Sequence, residues 1–162
     1  MSGAAWNAGA VDEAGLRAIA AQLATVAGEG GILYLEGDLG AGKTTFARAL
    51  LTSLGVGERV KSPTYSLIES YRAGELDAHH LDLYRIADAG ELEWLGLADL
   101  WMPRTLVLVE WPERGAGSLP PADVVIHFRH AGDRREIVAE PRSELGERLV
   151  AALSVVPAKA GT

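Results

Sequence analysis

Gly37-Asp38-Leu39-Gly40-Ala41-Gly42-Lys43-Thr44 is the stretch from which the rest of this chain can be read. Glycines at positions 37 and 42 allow a tight turn whose backbone N–H groups converge on a phosphate chain at a helix N-terminus. A lysine at position 43 reaches the β- and γ-phosphates, and the hydroxyl at position 44 meets a magnesium ion. The next residue, Thr45, adds a contact near the α-phosphate. What flanks the loop is as informative as the loop itself. Before it runs Ile32-Leu33-Tyr34-Leu35, a short apolar stretch behind glycines, as a buried strand would be. After it Phe46, Ala47, Leu50, Leu51 and Leu54 recur on one side of a helix that Gly55 is placed to end. Strand, loop and helix arrive in the order of a P-loop, so the segment predicts a nucleoside triphosphate with magnesium. The plain alternative is a glycine-rich strand-to-helix connection with an exposed lysine.

A P-loop also needs an acidic group at the end of a neighbouring strand. Glu110 follows the apolar run Leu106-Val107-Leu108-Val109 and precedes Pro112, which stops the strand where a site would begin. The competing reading is a carboxylate that ends a strand at the surface. Asp82 is the second candidate, within His79-His80-Leu81-Asp82-Leu83-Tyr84-Arg85, where alternation puts His80, Asp82 and Tyr84 on one face. Such a face is equally that of a solvated strand, and two histidines without a third ligand do not make a zinc site. Ser62-Pro63-Thr64-Tyr65 lies where a switch threonine would follow a P-loop, with Pro63 biasing Ser62 to an extended conformation. No Asn-Lys-x-Asp segment that would read guanine is present, which favours adenine. Trp94, Trp101 and Trp111 read as packing residues or partner contacts.

Working outward, Leu16, Ile19, Leu23 and Val26 sit at helical spacing behind a candidate cap at Asp12, and residues before it are small and polar. Two β-prone runs around Arg72-Ala73-Gly74-Glu75, and two more around Gly132-Asp133, predict hairpins. Residues 91–101 have helical offsets, and Ser143 caps a last helix with Leu145, Leu149 and Leu153. The expectation is one α/β domain of P-loop NTPase type over residues 12–156, with a mixed, mostly parallel sheet, antiparallel hairpin strands and flanking helices. Residues 1–11 are expected to be flexible and 157–162 disordered. A length of 162 residues with 48% hydrophobic content suits a single core. The net charge of −7 argues against holding RNA or DNA by broad phosphate neutralisation. There is no cysteine, hence neither a disulfide framework nor a thiolate metal site. With no secretory signal pattern and no apolar run near the ~18 residues of a membrane span, a cytoplasmic protein with no membrane association is expected.

Taken together, GDLGAGKTTFARAL (37–50), VKSPTYSLIESY (60–71), HHLDLYRI (79–86), ELEWLGLADL (91–100) and LVLVEWPERG (106–115) resemble the TsaE family, also called YjeE, in its order and spacing across residues 12–140. That resemblance implies an ATPase required, with the TsaD and TsaB proteins, for placing a threonylcarbamoyl group on the adenosine beside a tRNA anticodon. It implies ATP and Mg2+ as cofactors, contact with tRNA only through the complex, and a role in assembling or resetting that complex rather than in the transfer. It further implies Thr44 and Glu110 as metal ligands and Asp82 as the group that orients or activates water, so that Asp82, Lys43 and Glu110 are catalytic. Thr64 becomes a switch-like residue, Glu13 lies near adenine, and Arg135 touches the nucleotide. Leu16 stands where relatives often carry a threonine. Two other readings compete: a small-molecule kinase, for which Arg129, Arg134 and Arg135 are the only comparable arginine cluster, and a nucleotide-dependent scaffold whose hydrolysis is incidental.

Overall fold

The structure, a computed structural model, describes residues 4–56, 67–88, 90–92 and 100–155. Seven strands form one mixed sheet: β1 (Trp6–Val11), β2 (Gly31–Gly37), β3 (Ile68–Ala73), β4 (Leu76–Asp82), β5 (Thr105–Glu110), β6 (Val124–Ala131) and β7 (Arg134–Pro141). Their order is β1-β7-β6-β2-β5-β4-β3. Parallel pairing is confined to the four central strands β6, β2, β5 and β4, while both hairpins and the β1–β7 pair are antiparallel. All six residues of β5 are buried, which explains why that central strand reads as an uninterrupted apolar run.

Three helices lie among the described residues: α1 (Glu13–Ala24), α2 (Lys43–Ser53) and α3 (Glu144–Ala151). Asp12 caps α1 by accepting from Gly15 N–H, and Ser143 caps α3 by accepting from Gly146 N–H, both where the sequence placed them. Buried residues of all three helices pack in one cluster with Leu33, Leu35, Leu106, Leu108, Ile126 and Phe128 of the sheet. On the opposite face Val107 and Val109 pack with Leu81, Leu83, Ile86 and Leu92. No described helix is long and apolar enough to cross a membrane.

One expectation is corrected. Residues 6–11, read as loose, form the edge strand β1, paired with β7 from Trp6 against Ala139 to Val11 against Arg135, with an irregularity between Asn7 and Gly9. Their small side chains carry little alternation of their own, and the strand exists because β7 offers it a ladder. Within the stretch read as a helix over 91–101, Glu91 and Leu92 lie in a 3-10 turn; residues 93–99, with Trp94, fall outside the described residues, as do 62–65 with Thr64 and the tail 157–162.

The end of β2 is held to β6 closely enough that no side chain fits. Gly37 pairs with Phe128 and has φ +155°, and a methyl group on its Cα would press into the Phe128 carbonyl oxygen. The Phe128 ring in turn meets Phe46 of α2 edge-on, at 5.5 Å between centroids. Backbone cannot yield as a flexible side chain does, so Gly37→Ala is expected to destabilise the protein by about 1–3 kcal/mol. That corresponds to a fall of roughly 2–4 °C in melting temperature per kcal/mol for a chain of this size. Scanning calorimetry of the two proteins checks it; an unchanged or higher melting temperature would refute the close approach.

Candidate functional site

The parallel strands β2, β4 and β5 end side by side, and chemistry-bearing residues stand at those ends, where open α/β sheets bind their ligands. Residues 37–42 leave β2 and enter α2 at Gly42, whose φ of +106° only glycine tolerates without strain. Unlike α1 and α3, α2 has no side-chain cap, so the N–H groups of its first turn have neither an intrahelical partner nor a capping oxygen. The loop is braced from outside by His130 of β6, whose Nε2 lies 3.2 Å from the Leu39 carbonyl. Inside, Ala41 N–H donates to the Asp38 carbonyl.

Lys43 is only 4% exposed, although it carries a charge. Its ammonium donates to the Gly37 carbonyl and lies 3.6 Å from the centroid of the Trp111 ring. Both partners are uncharged, and a cation over an aromatic face is worth only about 0.5–2 kcal/mol, less than contact with a phosphate chain offers. Burial pushes the Lys43 ammonium below its ordinary pKa, while Glu110, Glu113, Asp82 and Asp38 pull it back up. Trp111 adopts left-handed backbone angles of φ 58° and ψ 49°, unusual for so large a residue. That conformation turns its indole onto Lys43 and against the Tyr84 ring, 4.9 Å away.

Glu110 is 2% exposed, so the reading of it as a surface carboxylate is excluded. Both of its oxygens lie 2.9 Å from Thr44 Oγ1 on the first turn of α2. Asp82 is its register partner across β4 and β5 and lines the same cleft, with Oδ1 accepting from Tyr84 N–H. The cleft, about 220 Å3, also meets Lys43, Thr45 and Arg135. A second hollow of about 150 Å3 adjoins it and brings Glu13 and Leu16 of α1 to Gly42, Thr45 and Arg135. Arg135 can reach both because β7 runs beside β1, opposite Val11. Thus Gly42, Lys43, Thr44, Thr45, Asp82, Glu110, Glu13 and Arg135 come together, with Asp38, Leu39, Gly40 and Ala41 forming the loop beside them. Arg129 stays outside these clefts.

Sequence reasoning missed two members of this constellation. His80, assigned to a face that could be solvated, is 6% exposed, with Nε2 at 2.6 Å from Glu110 Oε2. His79 points the other way and meets Ser70 Oγ at 2.8 Å, so the adjacent imidazoles cannot share an ion. Trp111, read as packing, covers the lysine. The signal for His80 was its parity with Asp82; for Trp111, its position directly after Glu110. A larger cavity, about 670 Å3, opens at the opposite end of the sheet among Ile32, Trp101, Met102 and Asp123. There the Asp123 oxygens are already engaged, accepting from Ile32 N–H at 2.8 Å and from Ser143 Oγ at 2.7 Å. Convergent polar groups, rather than volume, single out the P-loop cleft.

The family model for the threonylcarbamoyl adenosine biosynthesis protein TsaE matches residues 10–137. The tRNA threonylcarbamoyladenosine biosynthesis protein TsaE of Haemophilus influenzae is 42% identical over 123 residues, 76% of this chain and 78% of that protein. Its counterpart in Bacillus subtilis is 43% identical over 122 residues, 75% of this chain and 76% of that protein. Among solved structures, Bacillus subtilis YdiB superimposes with a TM-score of 0.74 at 33% identity, covering 95% of this chain and 96% of that one. This chain belongs to the TsaE family of tRNA threonylcarbamoyladenosine biosynthesis proteins.

Proposed function

We propose that this protein is an ATPase serving tRNA threonylcarbamoylation, which binds and hydrolyses Mg-ATP to assemble or reset a modifying complex containing TsaD and TsaB. One observation carries the reading: the P-loop hydroxyl of Thr44 is bound to a buried strand-end carboxylate, Glu110, beside a buried lysine and a second carboxylate, Asp82. Family membership supports the tRNA pathway. The protein acts in the cytoplasm and meets tRNA through its partners, in keeping with the acidic net charge of −7.

In this reading the free N–H groups at the start of α2 and the Lys43 ammonium take the triphosphate, the ammonium exchanging the Gly37 carbonyl for the β- and γ-oxygens. Glu13, Leu16 and Arg135 border the hollow next to Thr45 and receive the nucleoside end. Hydroxyl and carboxylate oxygens are the hard donors magnesium prefers, so Thr44 and Glu110 fit as its protein ligands. When bound, the ion neutralises charge on the β- and γ-phosphates. Asp82 orients the attacking water and accepts its proton as the water oxygen bonds to the γ-phosphorus. The bond to the β–γ bridging oxygen breaks, and ADP leaves with the electron pair. A slow intrinsic rate that rises with TsaD and TsaB is part of the proposal.

Two substitutions separate binding from turnover. Lys43→Ala removes the cation opposite the β- and γ-phosphates and should weaken ATP binding roughly 100-fold or more, as expected for two lost charge-assisted hydrogen bonds. Calorimetric titration with ATP measures it, and wild-type affinity in a folded variant would remove the P-loop assignment. Asp82→Asn keeps size and loses basicity. It should bind ATP and co-elute with TsaD and TsaB as the wild type does, while partner-stimulated phosphate release falls by about 10²–10⁴-fold. Wild-type turnover in this variant would mean that another group handles the water.

A further inference from the structure

His80 is a buried polar side chain that the mechanism above does not use. It stands on β4, next to the edge strand β3 of the seven-stranded sheet, and is 6% exposed. Burying an imidazole there costs desolvation that a leucine or valine would not incur. One of its ring nitrogens is spent on Glu110 at 2.6 Å, a contact that is attractive only if Nε2 carries a hydrogen and donates to the carboxylate. The other, Nδ1, faces Glu69 of β3 at 3.9 Å, and Glu69 is its register partner across the β3–β4 hairpin. A row of polar groups therefore runs from β3 through β4 to the end of β5 and on to the first turn of α2.

We propose that His80 is a positioning residue that fixes the Glu110 carboxylate for magnesium; the inference rests on the P-loop reading above. A glutamate has three side-chain torsions and needs more than one anchor to stand still. Thr44 is one anchor, at 2.9 Å, but it belongs to the same set of metal donors and cannot define the carboxylate independently of the ion. His80 is the other, built on a different strand and out of contact with the cleft itself. By donating to Oε2 it sets the rotation of the carboxylate, and Oε1 is then aimed alongside the Thr44 hydroxyl. Partners of this kind, one step removed from a metal, change affinity or activity by about 10–100-fold when removed.

The shape of the imidazole supplies a test that a merely space-filling role would fail. A glutamine at position 80 carries its amide nitrogen where Nε2 stands, whereas an asparagine carries it where Nδ1 stands. Wild type, His80→Gln and His80→Asn are compared in two calorimetric titrations: ADP in the presence of EDTA, and magnesium added to the ADP complex. Both readouts are binding and need no turnover. The expected result is equal ADP affinity in EDTA for all three, magnesium affinity lowered about 10–100-fold in His80→Asn, and recovery in His80→Gln. Wild-type magnesium affinity in His80→Asn overturns the inference, and so does an equal loss of ADP affinity in EDTA by both variants, which would mark a packing role. If the wild type itself binds ADP without any response to magnesium, the metal-dependent P-loop reading fails first and the role of His80 with it.

Discussion

The contact between the Thr44 hydroxyl and the Glu110 carboxylate is the joint on which the molecule turns. It ties the first turn of α2 to the end of β5, and through those two elements it fixes the glycine loop relative to the sheet. Around it the other choices follow from burial. A carboxylate that is 2% exposed must be bonded, and Thr44 and His80 bond it. A lysine that is 4% exposed must also be bonded, and the Gly37 carbonyl and the Trp111 ring take it. These interactions are individually modest, of the order of 1–3 kcal/mol for a hydrogen bond to a charged group. Their significance lies in geometry, because each polar group stays fixed while water is largely kept away.

Much of this was legible in the amino-acid order because the signals are local. The glycine loop, the apolar run before it, the caps at Asp12 and Ser143 and both hairpin turns lie within a few residues of what they specify. Glu110 was legible as a strand-end acid, though not as a buried one. What escaped was set by partners distant in sequence. The strand β1 is specified by β7, more than a hundred residues later, and its own residues, Trp-Asn-Ala-Gly-Ala-Val, show too weak an alternation to announce it. His80 is buried against Glu110 of the adjacent strand β5, and alternation cannot distinguish a polar face turned to water from one turned to another polar group. The left-handed backbone of Trp111 has no signature either, since a bulky residue enters that region only where its surroundings impose it.

Glu13 and Arg135 illustrate the same point from the other direction. Nothing in their spacing links them, and family resemblance alone placed both beside a nucleotide. The sheet order explains how they meet: β7 returns past the mouth of the cleft and pairs with β1, which leads directly into the cap of α1. The edge strand thus shapes the site at one remove, by setting where α1 begins.

The strand order also has a consequence in time. β2 carries the P-loop at its end, yet both of its neighbours, β5 and β6, come from the second half of the chain. On a ribosome adding about 5–20 residues per second, the start of β5 is made roughly 70 residues after the end of β2, a delay of about 4–14 s. During that interval α1, β2 and α2 can exist only as an unpaired strand with two open edges and a glycine loop lacking its acidic counterpart. Pairing across such separations closes large loops and is intrinsically slow. The nascent glycine-loop segment is accordingly exposed to misassociation until the second half of the sheet folds against it and brings Glu110 to Thr44.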